Sequence, residues 1–106
     1  MPAIAVIIPT FNRPESRRSC LHSLQNQKLD TSLWEVIVVN DGGSAIEHLI
    51  LDFGGNFRCF NQENSGPAKA RNLGASMTDA PIITFIDDDC RAHPEWLDNI
   101  FASSIE

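Results

Sequence analysis

A chain of 106 residues with 14 acidic and 8 basic side chains has a formal net charge of −6, which argues against a broad grip on a nucleic-acid backbone but leaves room for a small anionic ligand held by a metal ion or a helix N-terminus. Hydrophobic residues at 42% and charged residues at 21% are ordinary for one soluble globular domain. Three cysteines, Cys20, Cys59 and Cys90, lack any short paired spacing and favour reduced thiols in the cytoplasm over a disulfide framework, while no apolar run approaches the roughly 20 residues that span a bilayer, so that attachment to a membrane's cytoplasmic face would fall to a longer parent chain.

Ala3–Ile8 is a continuous apolar run and predicts a central parallel strand ending at Pro9, which cannot donate to a ladder. Thr10–Pro14 is a polar turn, and Pro14 suits the first position of a helix over Glu15–Gln27, with Cys20, Leu21 and Leu24 on one side and Arg17, Arg18 and Gln25 elsewhere. Trp34–Asn40 reads as the second buried strand, followed by the flexible turn Asp41-Gly42-Gly43. Ser44 and Glu47 have capping-box spacing, and Ile46, Leu49, Ile50 and Phe53 recur at helical intervals until Gly54-Gly55. Phe57–Phe60 predicts a short third strand, and Pro67 opens a third helix over Ala68–Met77 in which Ala70 and Leu73 pack inward and Gly74 permits close approach. Ile82–Ile86 predicts a fourth strand buried on both faces, and Pro94 begins a fourth helix carrying Trp96, Leu97, Ile100 and Phe101. Strict β-α alternation implies an α/β fold, a Rossmann-like parallel sheet with right-handed crossovers.

The fourth strand runs straight into Asp87-Asp88-Asp89. Three adjacent carboxylates are costly unless a cation neutralises them, and ligands of open α/β sheets bind beyond the carboxyl ends of the strands. If extended geometry persists, Asp87 and Asp89 share a face and can reach one hard divalent ion, Mg²⁺ or Mn²⁺, with Asp88 directed elsewhere. The plainer alternative is a solvated acidic loop capping the next helix. Asp41 falls on the same sheet edge and can accept hydrogen bonds from a base or ribose, although Asp-Gly is also common turn chemistry. Asn64–Asn72 combines a Gly-Pro helix start with Lys69 and Arg71 one turn inside, suited to phosphate but equally to a solvated surface. Arg13 could meet an anion or simply flank its helix. His22, His48 and His93 share no ligand spacing, Trp34 and Trp96 read as core or rim, and Cys90 reads as a packed thiol whose proton the neighbouring acids retain. The weight lies in the combination, since all these loops share one edge and suit a nucleotide diphosphate.

Val6–Arg13, Val38–Gly42, Asn64-Ser65-Gly66 with Ala70–Gly74, and Phe85–Asp89 followed by Pro94 resemble, in order, the motifs of the family 2 glycosyltransferases. The resemblance implies a GT-A fold and inverting transfer of a sugar from a nucleotide-diphosphate donor, a UDP-sugar in the first instance, to a glycan, lipid or protein acceptor. It implies that Pro9, Thr10 and Asp41 contact the base, with Phe11 and Arg13 in the same donor-binding loop; that Arg71 lies near the base, ribose or diphosphate; that Asp87-Asp88-Asp89 is the Asp-x-Asp motif, with Asp88 on ribose or donor; and that Asp89, with Asp87, ligates Mn²⁺ or Mg²⁺. Asn40-Asp41-Gly42-Gly43 stands where such proteins often have Asp-Asp-Gly-Ser. The resemblance also implies a second half supplying the general base, so the 106 residues are expected to be a single domain, the donor-binding half, incomplete at its C-terminal side. Two other readings stand beside it. One is a non-catalytic nucleotide-binding module that forms homo-oligomers through an open sheet edge. The other is a phosphoryl-transfer enzyme using one Asp as nucleophile, which leaves the other three motifs unexplained.

Overall fold

Every residue of Ile4–Thr10 is enclosed, as an apolar run must be when helices cover both faces of its sheet. This strand, β1, lies between β2 (Trp34–Asn40) and β4 (Ile82–Phe85), with β3 (Phe57–Asn61) outside β2, in a computed structural model describing residues 2–104. All three pairings are parallel, with Val6 opposite Val36 and Thr84, and Val36 opposite Phe57. The connecting helices are α1 (Pro14–Gln25), α2 (Glu47–Leu51) and α3 (Pro67–Ser76), and α4 (Trp96–Ser104) follows β4.

The order β3-β2-β1-β4 fixes where the helices lie. The chain steps outward from β1 to β3, then crosses back beyond β1 to β4. Right-handed crossovers place helices of opposite stepping direction on opposite faces. Accordingly α1 and α2, joined by α4, cover one face with Cys20, Leu21, Leu24, Ile50 and Leu97 packed on Ile4, Val6, Ile8, Val36 and Val38. On the other face α3 packs Ala70 and Leu73 against Ala5, Ile7, Ile37 and Val39. The stepping direction reverses between β1 and β4, and a crevice opens at the carboxyl ends of such a pair.

Four expectations need correction. The β1 strand does not stop at Pro9 but pairs on through Thr10, opposite Asn40. Ile7 accepts from Ile86 N–H on the β4 side, so Pro9, two residues on, also faces that side, where the ladder has already ended; its missing donor costs nothing there. The β4 strand is an edge rather than a doubly buried strand: Ile83 and Phe85 are 39% and 46% exposed. They lie beside Ala5 and Ile7, on the face where α3 covers only β1 and β2. The second helix is a five-residue turn whose N-cap, Ile46, has no capping side chain. Ser44 instead offers its carbonyl to Asn40, and Leu49 is exposed while Ile46 and Ile50 are buried. Arg17, expected on the polar side of its helix, is 8% exposed.

Gly74 performs the packing role expected of it. A Cβ there would overlap Ile7 Cγ2 and come within 3.2 Å of Val39 Cγ2. Both neighbours are stiff β-branched residues of central strands. Gly74→Ala is therefore expected to lower stability in urea unfolding by about 1–2 kcal/mol, overpacking outweighing the roughly 1 kcal/mol that alanine gains in helix propensity. An unchanged or raised midpoint would show that α3 can lift freely.

Candidate functional site

Four loops meet at the crevice because parallel strands all end at the same edge. They enclose a cleft of about 420 Å³ lined by Pro9 and Thr10 at the end of β1, Arg13 beyond it, Asp41 after β2, Arg71 on α3, and Asp87–Asp89 after β4, together with Phe11 and Pro67. That volume suits a ligand of nucleotide size. Of the two bases expected at the start of α3, Arg71 lines the cleft and Lys69, which is exposed, does not.

The three aspartates have separate environments. Asp88 is 5% exposed and accepts from the Thr10 hydroxyl at 2.8 Å and from Arg13 Nη1 at 3.4 Å. Asp87 and Asp89 are exposed, and one carboxylate oxygen from each lies with Cys90 Sγ in a group whose atoms are all within 4.8 Å of one another. The separation of Asp88 from its neighbours is the one anticipated. Its cause is a turn, since β4 ends at Phe85 and residues 88–89 no longer follow strand alternation. Asp87 accepts from Arg71 Nη2 at 3.3 Å, and Arg13 Nη1 also lies 3.8 Å from Asp89. Cys90 is exposed rather than packed, and its thiol points to Asp89 Oδ1 at 3.6 Å. Partial desolvation, then Asp89 and Asp87, push that thiol above its ordinary range, so it is a poor nucleophile.

Asp41 is buried, and its carboxylate is saturated from within the chain. Oδ1 accepts from Gln62 Nε2 at 2.8 Å and Ser65 N–H at 2.7 Å, and Oδ2 from Gly66 N–H at 3.0 Å and, more weakly, Asn64 Nδ2 at 3.4 Å. Gly66 makes this geometry accessible, because its φ of 97° is strained for any residue with a Cβ. Burial pushes the Asp41 carboxyl up, but Gln62 and the Ser65 and Gly66 amides outweigh it, so the group stays below the usual carboxylate range. Asp41 thus ties the loop before α3 to the end of β2.

Beneath the acidic turn, α1 acts as a bracket. Gln27 Nε2 donates to the His93 carbonyl at 2.7 Å, and its Oε1 accepts from Leu97 N–H at 3.0 Å. Ser23 Oγ accepts from Ala92 N–H at 2.9 Å, and the Cys20 thiol reaches the Asp87 carbonyl at 3.6 Å. Burial, followed by the Asp88 charge, pushes Cys20 up to about 12, so it remains a neutral donor. Arg17 lies near enough to Asp88 for that carboxylate to offset part of the burial that lowers the Arg17 pKa. Sequence reasoning missed the Asp41 clamp, the Gln27–Ser23 bracket and the buried Arg17. Only the first left a trace, the polar run Gln62–Gly66 before a helix.

Comparison with known proteins bears on the family and the fold. The family described as Glycosyl transferase family 2 matches residues 5–104. The chain is 30% identical to the glycosyltransferase AglE of Haloferax volcanii over 103 residues, covering 92% of this chain and 34% of AglE. It is 32% identical to the poly(ribitol-phosphate) beta-N-acetylglucosaminyltransferase TarP of Staphylococcus aureus over 108 residues, covering 95% of this chain and 32% of TarP. A crystal structure of S. aureus TarS 1-349 in complex with UDP superposes with a TM-score of 0.84 at 27% identity, covering 96% of this chain and 31% of that one. The chain therefore spans about a third of the length of these relatives.

Proposed function

We propose, on the premise that the chain belongs to glycosyl transferase family 2, that its sheet-edge cleft binds the nucleoside diphosphate of a sugar donor, a UDP-sugar in the first instance, and that the chain supplies the donor and metal side of a glycosyl transfer. The observation that carries this reading is the meeting of Asp41, Arg71, Arg13 and Asp87–Asp89 in one cleft beside the point where the order of strands reverses. The S. aureus relative that binds UDP supports it through its overall likeness. Inversion at the anomeric carbon is proposed from the family resemblance. The three free cysteines suit a reducing compartment, and we place the chain in the cytoplasm. Among the described residues, no helix is long and apolar enough to cross a membrane.

The donor set fits a hard divalent ion. Two exposed carboxylates, Asp87 and Asp89, present oxygens close enough to share one centre, and Mn²⁺ or Mg²⁺ prefers such ligands to the adjacent thiol. When bound, the ion supplies Lewis-acid neutralisation of the leaving diphosphate. The chain's own residues do the rest. Asp41, kept ionised, can accept a hydrogen bond from an imino N–H of the base if its weakest donor, Asn64, yields. Arg71, on the first turns of α3, is placed for the diphosphate, where a guanidinium matches two oxygens at once. Asp88, fixed by Thr10, is assigned to the ribose or the donor sugar. Pro9 and Phe11 supply apolar walls for the base. The general base for the acceptor is assigned to none of the described residues.

Titration calorimetry of the chain with UDP is expected to show binding that weakens roughly tenfold or more when Mn²⁺ is withheld, because the acidic cluster then repels the diphosphate. Equal heats with and without Mn²⁺, or none in either case, would count against the donor-site reading.

A further inference from the structure

Arg13 occupies an unusual position for a residue of a donor site. Its guanidinium lies 3.4 Å from Asp88 Oδ1 and 3.8 Å from Asp89 Oδ2. It therefore neutralises Asp89, one of the two carboxylates that would hold a divalent ion, together with its buried neighbour Asp88. Asp87, Asp88 and Asp89 form ion pairs with only two guanidiniums, Arg13 and Arg71. The Arg13 side chain is 57% exposed, so its ion pairs are weak and reversible. Asp88 would not be orphaned if Arg13 left, because the Thr10 hydroxyl stays at 2.8 Å.

We propose that Arg13 is a displaceable cation. It shields Asp88 and Asp89 in the free chain, leaves Asp89 when a divalent ion binds there, and then pairs with the donor diphosphate at the mouth of the cleft. This rests on the donor-and-metal reading above. Its consequence is coupling. Metal binding frees a guanidinium for the nucleotide, and by linkage the nucleotide, by engaging that guanidinium, clears Asp89 for the metal. Arg13 is then a positioning residue whose two partners compete for it.

The test separates this from a merely structural role. Titration of Mn²⁺ alone into R13Q is expected to give about two- to five-fold tighter binding than wild type, since a competing surface charge is gone. Titration of UDP at saturating Mn²⁺ is expected to give roughly tenfold weaker binding, since a charge-assisted contact is gone. A structural defect would weaken both. The Mn²⁺ difference should shrink as salt is raised to about 0.5 M, where exposed charges are screened. R13K keeps the charge but not the planar fork, and should bind Mn²⁺ like wild type while binding UDP less tightly. Unchanged or weaker Mn²⁺ binding by R13Q, or equal tightening in R13K, would overturn the proposal while leaving the donor reading intact. Failure of the wild-type chain to bind either Mn²⁺ or UDP would overturn both.

Discussion

Replacing Asp41 with alanine is expected to lower the unfolding free energy by about 2–3 kcal/mol, a large share of the 5–15 kcal/mol typical of a domain. The reason lies in the saturated carboxylate. Gln62 Nε2 and the Ser65 and Gly66 amides would lose a charged acceptor at 2.7–3.0 Å. Water can reach the loop and recover part of the loss, which keeps the expectation below the sum of three orphaned donors. Thermal unfolding should fall by roughly 10–20 °C. Asp41→Asn should not rescue it, because an amide would turn one donor toward the N–H groups. The pH dependence has a definite sign. The folded pKa of Asp41 lies below its unfolded value, so its contribution is complete above about pH 4 and is lost as pH falls through the folded value. Asp41→Ala should therefore show a shallower acid limb than wild type. Equal acid limbs and equal midpoints would mean that the clamp contributes nothing.

Asp89→Ala is expected to abolish the metal-dependent part of UDP binding, a loss of roughly tenfold or more, since even outer-shell partners of a bound metal are commonly worth about 10–100-fold. The side chain is 56% exposed, so the melting temperature should move little. Asp87→Ala should behave in the same way. Asp88→Ala offers an internal contrast, because Asp88 is buried against Thr10, and its removal should cost stability as well as affinity. The measurement is UDP titration with Mn²⁺ for each variant beside a melt. Wild-type UDP affinity in Asp89→Ala would remove Asp89 from the metal site.

Much of this architecture is legible in the residue order. The apolar runs at Ile4 and Trp34 are long enough to be strands and too continuous to have a solvated face, and the structure encloses both. The alternation that implied a parallel sheet also implied that Thr10, Asp41 and Asp87 share an edge, and they line one cleft. What escaped the sequence depends on partners far along the chain. Ile83 and Phe85 look like core, but whether a strand is covered depends on where α3 lies, and α3 sits over β1 and β2. Asp41 looks like turn chemistry because its four donors arrive from residues 62–66. Arg17 is a polar residue on an amphipathic helix and Gln27 lies just past its end, and nothing local distinguishes a buried bracket from a solvated face. Ser44 and Glu47 misled for the opposite reason: their spacing is local and good, but the helix starts at Glu47 itself with Ile46 at its N-cap, so neither residue stands where a capping box needs it.

The seat of Gly74 on Ile7 reaches further than the interior. Arg71 lies three residues before Gly74, about one turn nearer the cleft on the same rigid rod. The depth of that seat sets the height of the guanidinium above Asp87, now 3.3 Å. A methyl group buried far from any ligand would raise the rod and withdraw the guanidinium with it. Affinity could thus drift through changes at a position that no bound molecule ever meets, and a survey of surface residues alone would never find the lever.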